Sequence, residues 1–275
     1  MREATPHARV LHRSAVARVG DFRCPPGDPL WRQPNCIGSG HHVVFPATPV
    51  RIAHHGRDPV VVDSNAVVLY DDGAEYRREQ VGAYGDRCLW VAFDAGALTG
   101  IAPGALDPRG RFRRSTGPAT ERTCLLARRL HRALRGPYDP LLADEAVALL
   151  AGAALGAAGP DGTPQLRDAV ERVKEALHAD LAAPVTLAEL GRAVHYSPYH
   201  LARGFRRATG RSIAGYREQL RLRAALDAVA DGAPLQDVAH RFGFAHHSHF
   251  AQRFRRAFGV APSQWRRSAA ELADQ

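Results

Sequence analysis

Residues 235–259, LQDVAHRFGFAHHSHFAQRFRRAFG, repeat the pattern of residues 187–210, LAELGRAVHYSPYHLARGFRRATG. Matching apolar residues lie 48 positions apart at the start of the repeat and 49 apart at its end, so one residue has been added between them. Insertions are tolerated in turns, and the pattern therefore predicts two helices around a turn in each copy. The matched pairs are Leu187/Leu235, Leu190/Val238, Val194/Phe242, Leu201/Phe250, Phe205/Phe254, Gly210/Gly259 and Tyr216/Trp265.

Each copy reads as a short helix, a break of about four residues and a longer basic helix that ends at a glycine. In the first copy Thr186 and Glu189 fit a capping box, and Ser197 before Pro198 fits the start of the next helix. Two helices joined by a tight turn, with the second helix basic, are typical of a helix-turn-helix, whose second helix enters the DNA major groove.

The segment between the copies, SIAGYREQLRLRAALDAVADG at residues 212–232, predicts one long helix. We expect this helix to fix the separation of the two recognition helices. They can enter successive major grooves of straight DNA only if they lie roughly 34 Å apart, and a closer spacing would require bent DNA. The apolar residues expected to be buried against both units are Ile213, Tyr216, Leu220, Leu222, Leu226 and Val229.

Residues 165–269 resemble the DNA-binding domain of the AraC/XylS family of bacterial transcription regulators. The second copy carries the more specific match, in its GF, its SHF, the phenylalanine followed by two basic residues, the glycine and the PSQWR ending. The resemblance implies an α+β chain with two domains. Residues 1–160 would form a cupin-like β-barrel and a helical hairpin that sense an effector and dimerise, and residues 164–275 an all-α domain with two helix-turn-helix units joined by a long helix.

The resemblance also implies which side chains meet DNA. Base-contacting positions fall at Tyr199, Ala202 and Arg203 in the first unit, and at His247, Ser248, His249 and Gln252 in the second. An arginine suits guanine and a glutamine suits adenine, whereas Ala202 departs from the longer polar side chain that the family often has there. For the later arginines, phosphate contact and plain solvation both remain open. These are Arg206, Arg207, Arg255 and Arg256.

Most of the net positive charge lies in the part of the chain that contains the repeat. The net charge is +9, of which the residues from Pro164 onward carry +6, with 17 basic against 11 acidic side chains. This excess favours a polyanionic partner such as double-stranded DNA. The opening MREATPHARV lacks a signal-like apolar stretch, and the apolar run 146–159 is shorter than the roughly 20 residues that span a bilayer, so we expect a cytoplasmic protein with no membrane partner.

The N-terminal part contains short β-rich runs between His42 and Phe93, which predict a small antiparallel sheet or barrel. The glycine- and proline-rich residues 94–120, which include RGRFRR, predict a long surface excursion. Leu126, Leu130 and Leu134 indicate a helix over about 121–135, and Asp139 before Pro140 indicates the start of a second one. We expect helices 121–158 to take part in a homodimer, and residues 157–164 to form a linker.

Competing interpretations remain open for the N-terminal part. A metal-dependent cupin-type enzyme would need the H-x-H spacing, but His41/His42 and His54/His55 are adjacent and cannot face one side of a strand. Cys24 and Cys36 leave open a thiol or metal sensor fused to the DNA-binding tail, or ordinary reduced cysteines.

We predict no catalytic residue, no metal ligand and no cofactor. The histidines of HHSH at 246–249 are neighbours on a helix and do not converge on a metal. RNA polymerase is a possible further partner, and the effector is unknown.

Overall fold

A computed structural model describes residues 7–102, 104–156, 164–196 and 198–271. The chain divides into two compact units between residues 158 and 159. The predicted linker residues 157–163 and the predicted cap Ser197 lie outside the described residues.

The N-terminal unit is built on two antiparallel sheets with a shared cluster of buried apolar side chains between them. One sheet has the strand order β1-β2-β9-β4-β7-β10 and the other β3-β8-β5-β6. The strands are β1 (Ala8–Arg13), β2 (Arg18–Cys24), β3 (Asn35–Cys36), β4 (His41–Pro46), β5 (Val50–His54), β6 (Val60–Val62), β7 (Ala66–Tyr70), β8 (Glu75–Gln80), β9 (Asp86–Phe93) and β10 (Thr116–Pro118).

The six-stranded sheet is covered on both faces, which explains why β4 is buried along its whole length. Val43 and Phe45 pack into the cluster that contains the helices of this unit, while Val44 packs into the cluster between the two sheets. Alternate residues of a strand point to opposite faces, so a strand covered on both sides needs apolar residues throughout.

Strands β1 and β2 precede the region in which the sequence indicated a sheet. The RVGDFRC run of β2 contains Gly20, where a Cβ would lie 2.3 Å from the Trp90 ring and 2.3 Å from the Arg9 carbonyl oxygen. The glycine is thus required by close packing inside the sheet. In the sequence it looks like a break in the strand pattern.

The prediction of a surface excursion over residues 94–120 is wrong in part. Asp94 caps helix α1 (Ala95–Ile101), whose Leu98 is fully buried, and Phe112 is also buried in the same core. β10 then pairs with β7. Single apolar residues separated by glycines show no period, so their burial is decided by the neighbouring sheet and helices.

The two helices predicted after this segment are confirmed. Helix α2 (Glu121–Ala133) is capped by Thr120, and its Leu130 is buried against helix α3 (Pro140–Leu155), which begins at the predicted proline. Within the described residues, no helix is long and apolar enough to cross a membrane.

The C-terminal unit is all helical and contains the predicted long helix. Thr186 and Glu189 form the predicted capping box. The helices are α4 (Pro164–Ala179), α5 (Leu187–Val194), α6 (Pro198–Thr209), α7 (Ile213–Ala230), α8 (Leu235–Arg241), α9 (His247–Phe258) and α10 (Pro262–Glu271).

The turns between α5 and α6 and between α8 and α9 have the same backbone design. His195 and Gly243 both take the left-handed conformation, with φ of 58° and 74°. The next amide then donates to the carbonyl five residues back, Tyr196 to Gly191 and Phe244 to Ala239, each at 2.9 Å. The spacing is thus still 48 residues here, and the added residue lies between Phe244 and the start of α9.

Helix α7 contributes to the cores of both halves. Tyr216 and Leu220 are buried with α4, α5 and α6. Further along, Leu226 and Val229 are buried, and the Trp265 indole on α10 donates to the Leu226 carbonyl at 2.9 Å. Packing of its first half on one helix-turn-helix unit and its second half on the other makes α7 their common support.

Arg221, near the middle of α7, joins the two halves by hydrogen bonds. Its guanidinium donates to the carbonyl oxygens of Leu181 at 2.5 Å and Ala182 at 3.0 Å, which precede α5, and to that of Gly243 at 3.0 Å, in the turn of the second unit. A Cβ on Gly243 would lie 2.8 Å from the Ala182 Cα, so the two segments are in direct contact.

Replacing Arg221 by methionine keeps the aliphatic stem and removes all three hydrogen bonds. We expect Arg221→Met to lower the free energy of unfolding by at least about 1.5–3 kcal/mol, the range for a single hydrogen bond to a charged donor. Urea denaturation followed by helical circular dichroism measures the loss. Arg267→Met, at an exposed arginine of α10, serves as the control and should change little; equal losses in both variants would contradict the role of Arg221.

Candidate DNA-binding surface and effector cavity

The predicted recognition helices are α6 and α9, each the second helix after one of the matched turns. Each helix buries one face: Leu201 and Phe205 in α6, and the ladder of Phe250, Phe254 and Phe258 in α9. Neighbouring rings of the ladder meet edge to face, with centroids 5.5 and 4.7 Å apart. The apolar face fixes which side of each helix remains for DNA.

In α9 the predicted base-contacting residues His247, Ser248, His249 and Gln252 are all exposed on the first two turns. The His249 ring also meets the Phe244 ring edge to face, with centroids 5.9 Å apart. Its ring is thus oriented by the helix-turn-helix core.

In α6 the backbone carries Tyr199 and Arg203, but their side chains lie outside the described residues. Arg203 occupies the repeat position of Gln252, which is exposed in α9. Ala202 is half buried, so little of its short side chain is available to a base.

The arginines predicted to contact phosphates lie on the last turns of α6 and α9. Arg206, Arg207, Arg255 and Arg256 are all exposed. Arg253, next to the second pair, pairs instead with Glu218 on α7 and so holds α9 to its support. Arg253 therefore has a structural role that its exposed neighbours lack, and this difference cannot be seen in the run of basic residues in the sequence.

A second candidate site is a cavity of about 480 Å³ between the two sheets of the N-terminal unit. Arg78 on β8 reaches into it, is 2% exposed, and donates to Asp86 of β9 at 3.0 Å. Sequence reasoning assigned no effector-binding residue. The alternation of Tyr76 and Arg78 among exposed residues of β8 is the signal that could have shown this inward face.

The paired histidines face apart, as expected for adjacent strand residues. His41 meets Phe112 on the helix side of the sheet, while His42 meets Trp90 on the cavity side. Burial lowers the pKa of His42 to about 4. The neutral ring donates from Nδ1 to the Gly40 carbonyl at 2.8 Å.

Among the described residues one group offers three potential metal ligands: His7, Cys24 and Asp28, whose donor atoms all lie within 4.8 Å of one another. His7 Nε2 lies 3.0 Å from Asp28 Oδ2. Burial raises the pKa of Cys24 to about 11. The sequence spacing suggests Cys24 with Cys36 and does not reveal His7 or Asp28. The reason is that pairing of β1 with β2 brings the residues before β1 to the end of β2, and this pairing has no signal in the spacing.

A family model described as a helix-turn-helix domain matches residues 190–268. The chain is 37% identical over 110 residues to the HTH-type transcriptional activator RhaR of Pectobacterium atrosepticum, covering 39% of this chain and 38% of that protein. It is 36% identical over 84 residues to the regulatory protein ada of Salmonella typhimurium, covering 30% and 24%.

A solved structure of a probable AraC family transcriptional regulator from Rhodopseudomonas palustris is 30% identical. The match covers 37% of this chain and 97% of that one, with a TM-score of 0.35. The chain thus spans well under half the length of the curated relatives.

The matched turns and the family match together identify a helix-turn-helix domain in the C-terminal unit, similar to that of the transcriptional activator RhaR.

Alanine substitutions should separate base contacts from phosphate contacts. Arg203→Ala should cost about 1–3 kcal/mol on one specific sequence and relax the preference at one base position, whereas Arg207→Ala should weaken all sequences alike and lower the salt slope by about one. Binding to specific and random duplexes over a salt series measures both. Arg77→Ala, at an exposed arginine of the other unit, is the control; equal losses on both duplexes for Arg203→Ala would reject base readout there.

The low pKa of His42 predicts a pH dependence of stability. As the pH falls below 6.5 the unfolded chain takes up a proton, but folded His42 does not until about pH 4. Protonation of this histidine in the unfolded state alone should therefore lower the free energy of unfolding by about 3 kcal/mol across that pH range. Urea denaturation between about pH 7 and pH 4.5 should show a shallower loss for His42→Gln. The exposed His55, changed to glutamine, should leave the slope as it is, and a wild-type slope in His42→Gln would contradict this account.

Proposed function

We propose that the chain is a sequence-specific transcription regulator that binds double-stranded DNA in two successive major grooves. The observation that carries this proposal is the pair of exposed basic helices, α6 and α9, presented by two identical turns on the single support α7. One chain with two different recognition helices reads an asymmetric site. The proposal assigns no catalytic step to the protein.

Base readout is assigned to the seven positions expected from the sequence: Tyr199, Ala202, Arg203, His247, Ser248, His249 and Gln252. The exposed arginines on the last helical turns are assigned to phosphates, which position the helices without reading sequence.

Selection of random duplex DNA by the full-length protein, at a stated salt concentration, tests this function. We expect an asymmetric site of about 17–20 base pairs with two blocks one helical turn apart. Binding that is salt-sensitive and shows no enriched sequence would reduce the C-terminal unit to a general polyanion binder.

The N-terminal unit is proposed to sense an effector in the cavity between its sheets. An effector acts only through different affinities for two states of the protein, so its binding must change DNA affinity or the contact with RNA polymerase. The cavity supports this role because residues of both sheets line it and it combines apolar walls with a few polar groups.

Dimerisation is proposed through helices 121–158. Leu142 and Leu149 lie two turns apart on α3 and are 62% and 56% exposed, while Val147 and Leu150 on the other face are buried in the core. Leucines exposed to this extent on one helix stripe fit a second apolar helix.

The double variant Leu142→Asp/Leu149→Asp should convert a dimer to a monomer, because each leucine contributes about 1.5–3 kcal/mol when fully buried. Sedimentation velocity at several protein concentrations gives the result. Thr99→Asp, at an exposed residue of the same unit, should leave the dimer intact; a dimer that survives the double variant would place the interface elsewhere.

A metal or thiol sensor is the second candidate, and the His7, Cys24 and Asp28 group favours it. The zinc content of the purified wild-type protein, compared with that of Cys24→Ala, distinguishes metal sensing from binding of an organic effector. Zinc bound in a 1:1 ratio and lost in Cys24→Ala would favour metal sensing over an organic effector.

A further inference from the structure

The charged side chains that line the cavity between the sheets indicate the charge of the ligand that would bind there. This inference rests on the proposed sensing function of the N-terminal unit. Among the described residues, three arginines line the cavity, Arg13, Arg18 and Arg78, against a single carboxylate, Asp86. His42, the one imidazole among the described lining residues, stays neutral at pH 7 because burial lowers its pKa to about 4. The lining therefore has a net positive charge.

Arg78 is the arginine held inside. Nη1 donates to Asp86 at 3.0 Å, Nη2 donates to the Tyr76 hydroxyl, and the guanidinium lies 4.3 Å over the Phe22 ring. Among the described residues nothing accepts a hydrogen bond from its buried Nε. A buried donor without an acceptor is costly, so this geometry is suited to an acceptor brought by a ligand.

The walls around this group are apolar and aromatic. Side chains of both sheets contribute, including Ile52, Val62, Val68, Tyr70 and Trp90. Arg13 and Arg18 lie nearer the solvent, where the first is exposed and the second half exposed. An anion would meet positive charge at the entrance, and its apolar body would then displace water from these walls.

We propose that the effector is an organic anion, whose carboxylate or similar oxyanion accepts from Arg78 while an aromatic or branched apolar body fills the space beside Trp90. A planar guanidinium binds a carboxylate by two parallel hydrogen bonds and does so most strongly where water is excluded. A cationic ligand is disfavoured, because Asp86 is already paired with Arg78.

Calorimetric titration of the full-length protein with 1-naphthoate and with its uncharged counterpart, 1-naphthamide, tests the proposal. The two probes have nearly the same shape, so shape alone cannot separate them. We expect 1-naphthoate to bind at least about tenfold more tightly. Equal affinities, tighter binding of the amide, or no binding of either probe at about 1 mM would overturn the proposal.

Matched variants test whether Arg78 causes the preference for the anionic probe. Arg78→Met combined with Asp86→Asn removes both members of the ion pair and leaves no buried unpaired charge. This variant should bind the two probes equally, and a preference that persists in it would overturn the assignment to Arg78. Arg77→Met changes the neighbouring residue of the same strand, which is exposed, and should keep the preference.

Arg78→Lys serves if the double variant does not fold, as judged by circular dichroism. A lysine keeps the charge and loses the planar fork, so the preference should fall without disappearing; an unchanged preference would argue against hydrogen bonding by the guanidinium.

Parallel binding assays on the selected DNA site separate this inference from the proposed function. If the charge preference is absent while DNA selection succeeds, the anion proposal fails and the DNA-binding regulator stands. If the preference is present and 1-naphthoate changes neither DNA affinity nor transcription, the anion site stands and the proposed sensing function fails.

Discussion

The interaction on which the DNA-binding unit depends is the set of three hydrogen bonds made by Arg221. A helix-turn-helix pair is small, and two such pairs on one helix could rotate independently if packing on that helix were their only link. Arg221 donates to carbonyls beside α5 and in the turn before α9, so one guanidinium fixes both to the middle of α7. Burial lowers the pKa of this arginine, which remains charged at neutral pH.

The spacing of the recognition helices is therefore a property of α7 and Arg221 together. Two further contacts extend the same principle: Arg253 ties α9 to Glu218 of α7, and Arg266 on α10 donates to the Val229 and Ala233 carbonyls at the end of α7. Arginines thus serve two purposes in this unit. Those turned towards α7 hold α9 and α10 against it, and the exposed ones are those we propose as contacts for DNA phosphates.

The N-terminal unit has a different constraint, because its two sheets must pack together and still leave a cavity between them. The six-stranded sheet is stabilised from its other face by α1, α2 and α3, so the face towards the cavity need not be filled. The Arg78–Asp86 pair crosses the gap between the sheets, from β8 to β9, and fixes their separation at this point. Burial raises the pKa of Asp86 to about 6, so the pair retains its ionic character above that pH.

Elements with local or repeated signals can be read from the amino-acid sequence alone. The doubled motif, the capping box at Thr186, the long helix α7 and the helix start at Pro140 follow from apolar spacing and cap chemistry, which act within a few residues. The repeat also indicated α6 and α9 as the recognition helices. Other features depend on contacts between distant segments. Leu98 and Phe112 become core residues in this way, and Arg221 and Arg253 become links between α7 and its neighbours. Arg78 faces a cavity for the same reason. An arginine or an isolated apolar residue has no local signature for burial, because its partners come from segments distant in sequence.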